Sequence, residues 1–116
     1  MAENISQRCL KVGEEIRRVL AKIIQTQGFY DPNLMGLSLT VSEVRASPDL
    51  KNATVFVMPL GGVDQHKELL IALKNESNRL RYELGKNLRT KYTPELRFQI
   101  DTSFDQYDSL TKALNQ

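Results

Sequence analysis

Residues 37–58 read LSLTVSEVRASPDLKNATVFVM, and this stretch decides the fold. Leu37, Leu39 and Val41 alternate with Ser38, Thr40 and Ser42, the period of a strand with one buried face. Val44 falls out of that register, which predicts a bulge or the strand's end near Glu43. Ser47-Pro48-Asp49 suits a turn, because proline presets φ at the first central position. A second strand is predicted over 53–58, with Val55 and Val57 on one face and Thr54, Phe56 and Met58 on the other. The two strands should pair as an antiparallel hairpin.

Upstream of the hairpin the period is helical. Ile5, Cys9, Val12, Ile16, Val19, Leu20 and Ile23 recur at steps of three and four, one face of a long amphipathic helix. Gly28 is its expected stop, and Asp31-Pro32-Asn33 reads as a turn. Downstream, Pro59-Leu60-Gly61-Gly62 ends the hairpin and Asp64 can cap a helix carrying Leu69, Leu70, Leu73, Leu80, Leu84 and Leu88. That rhythm passes Glu76-Ser77-Asn78 without an apolar residue, so one kinked helix or two short ones are expected. Thr93-Pro94 terminates it. Leu96, Phe98 and Ile100 alternate as a third strand, and Ser103-Phe104-Asp105-Gln106 resembles a capping box for a last short helix. The expected fold is α+β: helix, strand, strand, kinked helix, strand, helix, with a three-stranded sheet covered by helices.

The 116 residues suit one domain, and 41% apolar content supplies an ordinary core. No apolar run approaches the roughly 20 residues that span a bilayer. Charge breaks every apolar stretch of the N-terminus, so no secretory signal is expected and the cytosol is the default compartment. Cys9 is the single cysteine, which excludes an internal disulfide and a cysteine-based zinc site.

Catalytic readings find little support. His66, the single histidine, has no second ligand or nucleophile at motif spacing and reads as a surface residue. Cys9 reads as core. Asp101, Asp105 and Asp108 suit a helix N-terminus better than a carboxylate site. Gly61-Gly62 is a turn without a phosphate-loop pattern. We expect no enzyme, cofactor, metal or small-molecule substrate.

The charge distribution is more informative than the net of +2. Residues 1–73 balance eight basic against eight acidic side chains. Residues 74–97 carry seven basic against three acidic, a net of +4, and residues 98–116 carry one against three. A concentrated field of one sign attracts polyanions. Beside the inward leucines, Arg79, Tyr82, Lys86 and Arg89 stand at steps of three, four and three, which places them on one outward face. Cations there meet phosphates and the tyrosine can stack on an unpaired base. Lys74 and Lys91 extend the strip. A merely solvated helix face is the alternative. A short joint between two helices on a three-stranded sheet also resembles KH domains, although this chain lacks their usual GxxG.

The chain resembles the ribosome-binding factor A family. The resemblance is carried by Arg8 with residues 12–18 (VGEEIRR), residues 44–53 (VRASPDLKNA), Leu84-Gly85-Lys86, residues 94–98 (PELRF) and Asp101-Thr102-Ser103, and runs from about Ser6 to Leu114. It implies a single type II KH-like domain over 1–116, with a core of about 5–101 and a short C-terminal helix over 103–115. It implies a monomeric bacterial assembly factor that binds the free small ribosomal subunit and promotes late maturation and 5′-end processing of its ribosomal RNA. A link to growth in the cold is implied too. The family's kink aligns with Glu76, Ser77 and Asn78. On this reading Arg79, Tyr82, Lys86 and Arg89 form the central RNA contact, flanked by Lys74, Arg81 and Lys91. Lys51, Arg8, Arg17 and Arg18 are further candidates, with pairing to Glu14 and Glu15 the alternative for the first helix. The rival reading is a protein-interaction module that dimerises or docks through the first helix or an open sheet edge.

Overall fold

The computed structural model describes residues 2–35, 37–59, 66–89 and 92–101. The Gly61-Gly62 turn, the Asp64 cap, Lys91 and the helix expected over 103–115 lie outside them. So do the side chains of Ile5 and His66.

Helix α1 spans Ala2–Gln27 and buries Val12, Ile16, Leu20 and Ile23, the stripe its period predicts. It ends as expected. Gly28 takes φ +67°, a left-handed conformation that costs glycine little, and its N–H donates to the Ile24 carbonyl at 2.9 Å. The turn at Asp31 closes with Leu34 N–H on the Asp31 carbonyl at 2.9 Å and Asn33 N–H on Asp31 Oδ1 at 2.9 Å. Leu34 then enters the core almost fully buried.

Strands β1 (Leu39–Ala46) and β2 (Asn52–Pro59) form the antiparallel hairpin. The register shifts between Val41 and Glu43, so Ser42 is the extra residue of the bulge that Val44 announces. The Ser42 hydroxyl lies 2.5 Å from Asp101 Oδ2 and 3.3 Å from the Phe56 carbonyl, which gives the bulge a polar partner. The connection is closed by Leu50 N–H on the Ser47 carbonyl at 2.8 Å and Ser47 N–H on the Asn52 carbonyl at 2.8 Å. Asp49 Oδ1 accepts from Ser47 Oγ at 2.6 Å and from Lys51 N–H at 3.0 Å, and these bonds hold its carboxyl below the usual range. They also hold Leu50 at φ +60°, unusual for a bulky side chain.

Helix α2 spans His66–Asn87 and β3 spans Glu95–Ile100. The sheet order is β1-β2-β3, with β3 parallel to the central β2 and α2 as the crossover between them. Helix α1 packs on β1, α2 on β3, and the helices on each other. Both therefore cover the face carrying Ala53, Val55 and Val57, each almost wholly buried. Burying Leu73, Leu80 and Leu84 of α2 in that layer contributes about 1.5–3 kcal/mol each. At Gly13 an added Cβ would overlap the Val44 carbonyl, so this glycine sets how closely α1 approaches β1.

Of the two alternatives for this helix, one kinked helix or two short ones, the second is corrected here. Glu76, Ser77 and Asn78 do not form a joint between two helices, because α2 is a single helix of 22 residues through all three. Ser77 Oγ donates back to the Lys74 carbonyl at 2.6 Å, and Glu76 is turned into the protein at 4% exposure. The polar run is thus a helical face with its own partners.

Candidate nucleic-acid interface

The outward face predicted from Arg79 to Arg89 is divided by the structure. Arg79 turns inward. Its Nε and Nη2 lie 2.9 and 2.8 Å from Glu76 Oε2, Nη2 donates to the Gly28 carbonyl at 2.9 Å, and Nη1 donates to Gln27 Oε1 at 3.1 Å. The guanidinium also lies 4.1 Å over the Tyr30 ring. The other oxygen of Glu76 accepts the N–H groups of Tyr30 and Asp31 at 2.6 and 2.7 Å. A buried carboxylate and a partly buried arginine thus clasp the loop after α1 onto α2. Such a pair holds structure, and Arg79 has few donors left for an outside ligand.

Tyr82 and Lys86 do face outward. Tyr82 is 67% exposed, and Lys86 Nζ sits 4.5 Å over its ring and 3.6 Å from Glu83 Oε1. Arg81 reaches the other way. Its Nη2 donates to the Thr93 carbonyl at 2.8 Å and its Nε lies 3.2 Å from the Pro94 carbonyl, which ties α2 to the entry of β3. Nη1 has no partner among the described residues. Arg89, just past α2, is exposed and likewise unpartnered among them.

Arg81 and Arg89 meet two cations from elsewhere. Arg8 of α1 and Lys51 of the hairpin connection line the same open cleft, about 1060 Å³ in volume, together with Tyr92. Four cations face two carboxylates there, Asp49 and Glu95, and Asp49 is engaged by its own turn. Tyr92 is 73% exposed. A cleft with spaced cations and a projecting aromatic ring can neutralise phosphates and offer a base a stacking surface.

The remaining candidates separate. Arg17 pairs with Glu14 through Nε at 3.0–3.1 Å and through Nη2, lowering the Glu14 carboxyl from its ordinary value, so charge pairing accounts for this arginine. Arg18 is exposed but does not line the cleft. Lys74 lies elsewhere, with Lys67 and Arg97 beside a second groove. Periodicity misses Tyr92 because it follows the helix. Its one sequence signal is an aromatic residue between Lys91 and Thr93-Pro94. Among the described residues no group of three or more His, Cys, Asp or Glu side chains could hold a metal ion. No described helix is long and apolar enough to cross a membrane.

Comparison with known proteins follows the same lines. The model of the family described as Ribosome-binding factor A matches residues 8–114. A ribosome-binding factor A of Ruegeria sp. (strain TM1040) is 50% identical over 111 residues, covering 96% of this chain and 84% of the relative. That of Paramagnetospirillum magneticum is 47% identical over 110 residues, covering 95% and 77%. The crystal structure of ribosome-binding factor A from Thermus thermophilus superposes with a TM-score of 0.65 at 29% identity, covering 79% of this chain and 94% of that one. A homology model of the Thermus thermophilus protein, fitted into a cryo-EM map of its complex with the 30S subunit, matches with a TM-score of 0.64 at 29% identity over 81% and 96% of the two chains.

Proposed function

The chain belongs to the ribosome-binding factor A family, with its KH-like α+β fold, and from that premise we propose that it binds the free small ribosomal subunit as a non-enzymatic assembly factor in the cytoplasm. There it promotes late maturation and 5′-end processing of the subunit's ribosomal RNA, a role that matters most in the cold. The observation that carries this reading is the convergence on one cleft of Arg8 from α1, Lys51 from the hairpin connection, and Arg81 and Arg89 from the C-terminal part of α2 and just beyond it. The relative fitted into the 30S complex supports the choice of subunit.

Within the interface the roles differ. Arg89, Lys51 and Arg8 supply phosphate contacts, and Arg81 supplies Nη1, which has no partner among the described residues, while its other nitrogens anchor Thr93. Tyr92 offers the stacking surface. Tyr82 and Lys86 form a neighbouring outward pair, and Lys91 follows in sequence. Arg79 lies outside the interface and fixes the loop after α1.

The test is co-sedimentation of the monomeric chain with free small subunits, large subunits and intact ribosomes across a salt series. Selective binding to free small subunits is expected. Replacing Lys51 and Arg89 with alanine should weaken it and reduce the salt slope by about 2, one per lost phosphate contact. Unchanged affinity and slope in that double variant would remove the cleft from the interface.

A further inference from the structure

The second groove, between α2 and β3, has a chemistry unlike the first. Its floor is apolar: Leu70 and Ile71 of α2 with Leu96 and Phe98 of β3. Ile71 is 53% exposed, a large apolar side chain left to solvent on a helix whose other face is packed. Its rim is Lys67, Lys74 and Arg97, with no acidic residue among the described lining residues, and the volume is about 480 Å³.

The backbone beside this groove is also unpaired. β3 is an edge strand, with β2 on one side and no strand on the other among the described residues. Glu95 N–H donates to the Lys51 carbonyl at 2.9 Å and Asp101 N–H to the Val57 carbonyl at 2.8 Å. In a parallel pair the bonding residues alternate, so the N–H and C=O groups of Leu96, Phe98 and Ile100 point to the open edge. An open edge is a template for another extended chain.

From these features we propose that the α2–β3 groove docks an extended acidic segment of a partner protein, added as a fourth strand along β3. Main-chain bonds to Leu96, Phe98 and Ile100 supply the register. Alternate apolar side chains of the segment settle over Ile71 and Phe98, and its carboxylates meet Lys67, Lys74 and Arg97. An apolar floor under cations fits a segment alternating acidic and apolar residues. The edge donors and acceptors fit a peptide backbone, which carries both, better than a phosphodiester chain, which carries acceptors alone.

The test uses the whole chain and a fluorescein-labelled peptide of about eight residues alternating aspartate with valine, enough to flank a strand of ordinary length. Saturable binding is expected, with amide shifts concentrated at Leu96, Phe98 and Ile100. Lys67→Glu and Ile71→Asp alter exposed side chains, and circular dichroism checks that both variants stay folded. Each should weaken the peptide at least about tenfold. No binding, binding indifferent to both variants, or shifts outside the groove would overturn the proposal. So would displacement of the peptide by a single-stranded RNA oligonucleotide, or by self-association of the chain.

Discussion

Arg79→Ala separates a structural arginine from a binding one. Removing the guanidinium leaves Glu76 buried with two main-chain donors and no counter-charge. Breaking a buried pair on one side costs about 3–5 kcal/mol. The lower end applies here, because Arg79 keeps 19% side-chain exposure and Glu76 keeps two of its bonds. The lost contact with the Tyr30 ring is worth about 0.5–1 kcal/mol and lies within that figure. A loss of about 3 kcal/mol should lower the thermal midpoint by roughly 10 °C in a domain of this size. Arg89→Ala, an exposed change without a partner among the described residues, should stay within about 0.5 kcal/mol. The double variant Glu76→Ala/Arg79→Ala should be less destabilised than the two single changes added together, by about 1–3 kcal/mol of coupling. Urea titrations of the parent, both single variants, the double variant and Arg89→Ala measure this. Small-subunit binding, taken where all five proteins are folded, supplies the second axis: Arg89→Ala weakens it and Arg79→Ala largely spares it. An Arg79→Ala protein as stable as the parent but unable to bind subunits would refute the clasp and return Arg79 to the RNA.

Two glycines should respond differently to alanine. Gly13→Ala pushes a Cβ into the fixed Val44 carbonyl, so it should cost about 1–3 kcal/mol in urea unfolding despite a helix-propensity gain of about 1 kcal/mol. Gly85→Ala meets only the Thr93 side chain, nearest at Oγ1 at 2.7 Å, which a rotamer change can move, so its stability should change by less than about 1 kcal/mol. Asp49 titrates below its unfolded value, so its contribution is present above pH about 3.9 and is lost as pH falls through the folded value. The Lys51 amide resonance should therefore move on acidification, and Asp49→Asn should abolish that movement.

The hairpin is legible in the sequence because its signals are local. Alternation gives the strands, Val44 gives the bulge, and Gly28 gives the helix end without knowledge of anything distant. The run from Glu76 to Asn78 misleads because the partners of Glu76, the N–H groups of Tyr30 and Asp31, lie more than forty residues away. A buried carboxylate looks like a break when its donors are on another element. One local sign is available: Glu76 and Arg79 stand at i and i+3, the spacing of an ion pair, as do Glu83 and Lys86. Periodicity places Tyr82 and Lys86 outward correctly. It cannot bring Arg8 and Lys51 to Arg81 and Arg89, because that convergence depends on how β3 seats beside β2.

The parallel pairing of β3 with β2 fixes when the cleft comes into being. The hairpin needs no residue beyond Pro59, but β3 cannot pair with β2 until α2 lies folded between them. Arg81 finds the Thr93 and Pro94 carbonyls only at that last step. A chain still emerging from a translating ribosome, surrounded by ribosomal RNA, therefore carries the cations of the cleft without their arrangement.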